Sequence, residues 1–231
     1  MIQRNRLVNG GVSMEKKQLE RHIPKATAKR LPLYYRCLNK LKESGITRIK
    51  SKELSQITQI PSATIRRDFS HFGELGRSGY GYEVEYVTEI FHDLLNVNKI
   101  VNIALMGVGN LGKALIANNF SKDNNLKITC GFEINKESTG KVLSGVPIYS
   151  IEQMSEILDR EEIDVAISTV PSESSQDAIN MLVDAGITAI LNFSPGRVKV
   201  PENIDIRYID LTSEILTLVY YDGWLLPQKA K

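Results

Sequence analysis

Cysteine is nearly absent: the chain has Cys37 and Cys130, far apart and outside any Cys-x-x-Cys spacing. This argues against a disulfide framework and against a zinc site, and it fits a reducing compartment. No apolar run approaches the roughly 18 residues of a spanning helix, and the N-terminus lacks the apolar core and cleavage site of a secretory signal. The expected location is therefore the cytoplasm, with neither a membrane nor a metal among the partners. Histidine is also scarce, with His22, His71 and His92 all in the first half. Residues 1–13 are polar, contain Gly10 and Gly11 and precede Met14. They read as a disordered arm or an over-long start and do not enter the fold argument.

The overall charge is nearly balanced, and the balance hides a split. Residues 1–82 carry 17 Lys and Arg against 6 Asp and Glu, and residues 83–231 carry 12 against 21, so a net charge of +2 conceals halves of +11 and −9. With 42% hydrophobic and 24% charged residues the chain is globular, and the charge split favours two domains over one. A basic half seeks a polyanion, since neutralising phosphates supplies most non-specific DNA affinity. The plain alternative is a solvated surface of mixed charge.

In the first half, Leu31, Tyr34, Tyr35, Leu38 and Leu41 recur at helical spacing between residues 27 and 44, and Gly45 stands where that helix would stop. Pro32 should sit near the first turn or kink the helix. Ser51 is a candidate N-cap of a short second helix with Leu54 and Ile57 on one face. After Gln59-Ile60-Pro61, Ser62 can cap a third helix spanning residues 63–72. In that helix Thr64, Arg66, Arg67 and Asp68 sit early, where a recognition helix presents side chains to the major groove, and Ile65 and Phe69 would face the core. Residues 73–82 then pack four glycines, two tyrosines and Arg77 into a hairpin or wing, with Arg77 at its tip suited to a minor groove.

Residues 83–95 read as an amphipathic linker helix, and residues 100–106 as a strand buried on both faces. Gly107-Val108-Gly109-Asn110-Leu111-Gly112 follows at once and leads into a helix over residues 113–120, which is the strand-to-helix context a dinucleotide loop requires. Gly107 would make the turn, Gly109 would admit a pyrophosphate and Gly112 would allow close helix packing, with the helix N-terminus favouring the phosphate charge. A second strand over residues 126–132 ends at Glu133, where such folds place the acid that binds ribose hydroxyls. That carboxylate favours NAD over NADP, whereas Lys136 nearby could accept a 2′-phosphate. Strand-like residues 164–169 and 187–191 flank a helix over 174–185. Thr169 and Pro171 leave the first of these strands on the edge where ligand loops emerge.

A dehydrogenase needs a proton relay beside the hydride site, commonly a histidine or a Tyr/Lys pair. Every histidine precedes the nucleotide half, and no tyrosine is followed four residues later by lysine. A reductase with an N-terminal substrate or dimer module, and a repressor answering to another adenine nucleotide such as CoA, are the two competing readings.

Five motifs, in this order, closely resemble the Rex family of bacterial redox-sensing transcriptional repressors. They are Leu31-Pro32-Leu33-Tyr34-Tyr35-Arg36, Ala63-Thr64-Ile65-Arg66-Arg67-Asp68-Phe69-Ser70, Gly76-Arg77-Ser78-Gly79-Tyr80-Gly81-Tyr82, the glycine loop and Ile190-Leu191-Asn192-Phe193. The resemblance implies a cytoplasmic homodimer on pseudo-palindromic double-stranded operator DNA. NADH would release the operator and NAD+ would compete, repressing fermentative and respiratory genes; the implied cofactor is NAD(H), and no catalysis is expected. The implied DNA contacts are Ser51, Lys52, Ser62, Thr64, Arg66, Arg67, Arg77, Ser78, Gly79 and Tyr80. The implied nucleotide contacts are Gly107, Val108, Gly109, Asn110, Leu111, Gly112, Glu133, Thr169 and Pro171. Arg36 and Asp210 correspond to a pair that couples the two domains.

The expected α/β architecture is a disordered arm (1–21), a winged helix-turn-helix domain (22–83), a linker helix (84–98), a Rossmann-like NAD(H) domain (99–210) and a C-terminal helix (211–231) exchanged between subunits. Leu211, Ile215, Leu218 and Val219 mark that helix. Two departures from the family pattern stand out. Asn118 replaces a tyrosine that helps the switch in many members, and Phe132-Glu133-Ile134-Asn135 replaces Phe-Asp-x-Asp. The expected consequences are altered switch wiring and an altered nucleotide preference or affinity.

Overall fold

Helix α1 (Lys25–Glu43) forms because Leu31, Tyr34 and Leu38, spaced three and four apart, bury on one face. The computed structural model describes residues 23–77, 79–95, 97, 99–120, 125–135 and 137–221. The arm at 1–21, Ser78, Lys136 and the chain beyond Tyr221, on which expectations were placed, lie outside the described residues. The chain divides at residue 98 into two compact units.

In the N-terminal unit, α1 begins earlier than its apolar pattern predicts, so Pro32 lies inside the helix rather than in its first turn. Having no N–H, Pro32 leaves the Ala28 carbonyl without its helical donor. The helix ends at Glu43; the Gly45 N–H reaches the Lys42 carbonyl at 2.9 Å, and the Gly45 φ of 75° turns the chain so that the Ile46 N–H reaches the Leu41 carbonyl at 2.9 Å. Strand β1 (Arg48–Ile49), α2 (Ser51–Thr58), α3 (Ser62–Phe69) and a 3-10 turn (Ser70–Phe72) follow. Strands β2 (Gly76–Arg77) and β3 (Gly81–Glu83) form the wing, and β1 pairs antiparallel with β3.

Several local expectations are corrected here. Lys50, not Ser51, precedes α2, and its N–H donates to the Glu53 carboxylate at 2.6 Å. Pro61, not Ser62, precedes α3, which ends at Phe69. Leu54 is buried, but Ile57 is half exposed; the position that buries with Leu54 on this helix of about two turns is Thr58, four residues on. The expected linker helix, α4 (Val84–Leu94), is part of this unit's core: Val84, Val87 and Phe91 are fully buried against α1. The Phe91 ring meets Phe69 edge-on at 5.3 Å. Burying a side chain of this size contributes about 1.5–3 kcal/mol, which explains why α4 docks.

The C-terminal unit is built on a seven-stranded sheet. In chain order its elements are β4 (Val101–Met106), α5 (Asn110–Asn118), β5 (Leu126–Glu133), β6 (Val142–Leu143), β7 (Val146–Ser150) and α6 (Met154–Arg160). They continue with β8 (Val165–Ser168), α7 (Ser172–Asp184), β9 (Ala189–Asn192), β10 (Asp205–Tyr208) and α8 (Leu211–Tyr221). All neighbours are parallel except β6, which pairs antiparallel with β7. Ala104 and Met106 bury in one core cluster and Ile103 and Leu105 in the other, so both faces of β4 are covered and its apolar run from Ile103 to Met106 follows the single polar residue Asn102. Ile100, expected to open that strand, precedes it and is exposed.

From β4 the chain runs outward through β5 and β7, then returns to β8 on the other side and continues through β9 and β10. This is the doubly wound order, and its switch point lies between β4 and β8, where the carboxyl ends of neighbouring strands diverge to leave a crevice. No helix among the described residues is long and apolar enough to cross a membrane.

Candidate nucleic-acid and dinucleotide sites

Between α3 and the wing lies an open cleft of about 830 Å³. It gathers Ser51, Lys52, Ser62, Arg66, Arg77 and Gly79 from the expected DNA contacts, while Thr64, Arg67 and Tyr80 lie outside its lining. Arg66 and Arg67 are exposed, and Arg66 Nη1 donates to Ser51 Oγ at 3.3 Å, tying the second helix to the third. The wing turn closes with the Tyr80 N–H on the Arg77 carbonyl at 3.1 Å, leaving Tyr80 72% exposed beside it. Lys50 and Tyr82 also line the cleft and were not anticipated. The basic alternation Arg48, Lys50, Lys52 was the available signal for Lys50.

Asp68 was expected to face outward with Arg66 and Arg67. Instead it is 2% exposed. Its Oδ1 accepts from Thr27 Oγ1 at 2.8 Å and from Arg30 Nη2 at 2.7 Å; its Oδ2 accepts from Arg30 Nε and from the Tyr34 hydroxyl, both at 2.6 Å. Burial pushes the Asp68 carboxyl upward, but the bonds from Arg30, Tyr34 and Thr27 outweigh it and hold the group below the usual carboxylate range. Burial and the bond to Asp68 raise the Tyr34 phenol.

In the C-terminal unit the glycine loop leaves β4 at the switch point. Gly107 has φ of 90°, and a Cβ there would sit 2.9 Å from Val170 Cγ1. At Gly112 a Cβ would collide with the Gly107 carbonyl oxygen and stand 3.2 Å from Leu105 Cδ2. The fold itself therefore demands both glycines. Gly109 differs: its φ of −73° suits any residue, and a Cβ there would meet nothing within 4 Å. Among the described residues nothing requires glycine at 109, which leaves the loop bare on its outer side. That is where a pyrophosphate would lie, in front of the α5 N-terminus with its unpaired N–H groups.

Of the other expected contacts, Asn110 and Leu111 open α5 on its exposed side, and Val108 is buried. Thr169 Oγ1 donates to the Gly107 carbonyl at 2.7 Å, so this hydroxyl holds the loop. Pro171 is exposed and immediately precedes α7. Glu133 Oε2 accepts from the Val108 N–H at 2.8 Å, and Oε1 accepts from the N–H groups of Ile134 and Asn135 at 2.8 and 3.1 Å. Burial would raise the Glu133 carboxyl, but these three backbone donors, with Lys113 nearby, lower it overall. The site thus offers a fixed carboxylate beside a loop open to a phosphate, which fits a dinucleotide. Asn135 Oδ1 accepts from the Glu137 N–H at 2.9 Å, and Asn118 is exposed at the end of α5. Among the described residues no cluster of His, Cys, Asp or Glu could hold a metal.

Arg36 is exposed on α1 of the N-terminal unit. In the C-terminal unit Asp210 caps α8: Oδ1 accepts from the N–H groups of Thr212 and Ser213 at 3.0 and 3.2 Å, and Oδ2 accepts from Ser213 Oγ at 2.7 Å. The Ser213 hydroxyl and N–H and the Thr212 N–H hold its carboxyl below the usual range.

Two family models match the chain: a putative DNA-binding protein N-terminus over residues 22–70 and a CoA binding domain over residues 98–196. The redox-sensing transcriptional repressor Rex 2 of Enterococcus faecalis is 53% identical over 204 residues, covering 88% of this chain and 95% of that protein. The chain belongs to the Rex family. The Rex repressor of Latilactobacillus sakei is 52% identical over 200 residues, covering 87% of this chain and 96% of that protein. Among solved structures, RSP, a Rex-family repressor, bound to β-NAD+ and operator DNA is 33% identical with a TM-score of 0.80, covering 88% of this chain and 94% of that one. RSP bound to β-NADH is 30% identical with a TM-score of 0.77, covering 88% and 95%. The mixed α/β Rex architecture, a DNA-binding domain followed by a Rossmann-like parallel-sheet domain, is therefore the architecture of this chain.

Proposed function

We propose that this Rex-family chain is a transcriptional repressor that reads the NADH/NAD+ ratio in the cytoplasm. Its helix-and-wing cleft holds a double-stranded, pseudo-palindromic operator, and it releases that operator when the Rossmann-like domain takes up NADH. Ser51, Lys52, Ser62 and Arg66 line the cleft on the helix side and Arg77 and Gly79 on the wing side, with Thr64, Arg67, Ser78 and Tyr80 completing the contact. Residues 107–112 receive the pyrophosphate, Glu133 the adenine ribose, and Thr169 and Pro171 border the crevice. Bound NAD(H) supplies the redox signal. The chain's residues bind it and orient it, and they carry out no hydride transfer.

One observation carries this reading: a basic cleft shares its chain with a glycine loop whose middle glycine, Gly109, has no structural reason to be glycine. The absence of a histidine beyond residue 92 supports a sensor over a dehydrogenase. Operator recognition is dimeric in this reading, and α8 supports it, since Leu211, Ile215 and Leu218 are 61%, 59% and 69% exposed on a helix of strongly apolar composition. Arg36 and Asp210 form the pair that links nucleotide uptake to the winged helices.

The test is operator binding at fixed salt across titrations of NADH, NADPH and CoA. NADH should weaken operator affinity, and operator DNA should weaken NADH binding by the same factor. An operator affinity indifferent to NADH overturns the proposal. A response to CoA alone transfers the effector role to the ligand class named by the CoA binding domain match.

A further inference from the structure

We propose that Asp68 is a positioning residue for DNA recognition, its carboxylate fastening α3 to α1 at the angle that presents Arg66 and Arg67. This rests on the proposed DNA-binding role of α3. An acid beside two exposed arginines would repel phosphates if it faced them, so its presence in this segment calls for a reason. The geometry supplies one. Thr27, Arg30 and Tyr34 lie three and four residues apart on one face of α1, and all three donate to Asp68.

Helix α3 has only eight residues, too few to hold its own orientation. Its apolar anchors, Ile65 and Phe69, are fully buried, but apolar contact is non-directional and permits roll about the helix axis. The Asp68 bonds are directional. Arg30 engages both oxygens through Nε and Nη2, while Thr27 and Tyr34 each take one more lone pair, fixing the carboxylate plane from three sides. Arg30 keeps 28% of its side chain exposed, whereas Asp68 is sealed. Asp68 therefore lies behind the exposed side of the helix and takes no part in the surface that Arg66 and Arg67 present.

Charge and position make opposite predictions, which separates this role from simple electrostatics. Asp68→Asn removes a negative charge near the DNA and frees Arg30, so attraction alone predicts tighter operator binding. Loss of position predicts weaker binding in spite of the added positive charge. Operator affinity of the folded full-length variant, measured below its melting temperature across a salt series, should fall about tenfold. The slope of log affinity against log salt should become shallower by about one phosphate per misplaced arginine. NADH affinity should not change, since the Rossmann-like unit is untouched. Unchanged or tighter operator binding overturns the proposal.

Tyr34→Phe alters no charge and removes one donor. It should weaken operator binding about threefold, and an unchanged affinity overturns the proposal even if Asp68→Asn fails to fold. Failure of wild type to bind operator would instead defeat the underlying DNA-binding assignment, so the two failures are distinguishable.

Discussion

The Glu133 carboxylate accepts a hydrogen bond from the Val108 N–H at 2.8 Å, so the end of β5 is fastened to the glycine loop that leaves β4. Because its folded-state value lies below the ordinary 4.5, Glu133 contributes stability that is complete above that pH and is lost as pH falls through the lowered value. Glu133→Gln puts an amide where three N–H donors need acceptors. Melting temperatures of wild type and variant should differ at neutral pH and converge in acid. The variant should also lose NADH affinity and discriminate less against NADPH, as read by calorimetry.

The glycines of the loop should separate into two kinds. Gly112→Val drives a side chain into the Gly107 carbonyl, and overpacking of this kind costs about 1–3 kcal/mol, so the protein should melt several degrees lower. Gly109→Val has free space on the protein side and should melt like wild type, yet lose the NADH response of operator binding. If Gly109→Val responds to NADH as wild type does, the pyrophosphate is not bound at this loop.

How much of this was legible depended on whether the signal was local. The apolar run of β4, the glycine spacing and the acid ending β5 are each set within a few residues, and strand, loop and helix follow in that order, although α5 spans Asn110–Asn118 and so begins inside the glycine motif rather than at residue 113. Ile65 and Phe69 were equally plain as core positions, being four apart on a short helix. Asp68 was not, because its burial is decided by donors 34 to 41 residues away on α1. Helix α4 looked like a linker because its amphipathic pattern says that one face is covered without saying by what; the partner is α1. The edge strand β10, with alternating exposed positions and two charges in four residues, offers no apolar run, and its pairing with β9 defines it. In α6 the spacing of Met154, Ile157 and Leu158 is a local signal, that of an amphipathic turn with one buried face.

The exposed face of α8 gives a prediction about assembly. Burying an isoleucine contributes about 1.5–3 kcal/mol, and a twofold interface uses each site twice. Ile215→Asp should therefore raise the dissociation constant for self-association by about a hundredfold or more, read by sedimentation across concentration. Operator affinity should fall in parallel, because two half-sites would no longer be held together. A dimer unaffected by this change would mean that α8 is covered by some other surface.

Asp210 has a capping role on α8 as well as its proposed pairing with Arg36, and the two can be separated. Asparagine caps a helix about as well as aspartate, so Asp210→Asn should retain α8 while discarding the charge, whereas Asp210→Ala should lose both, the cap being worth about 1 kcal/mol. If the charge couples the domains, Asp210→Asn should melt close to wild type while the ratio of operator affinities without and with NADH collapses toward one. A coupling energy of about 1–3 kcal/mol corresponds to a wild-type ratio of about 5 to 150. Arg36→Ala should produce the same collapse, and the double variant no more than either single change, since both break one interaction. A full NADH response in Asp210→Asn would leave Asp210 with its capping role alone and place the coupling elsewhere.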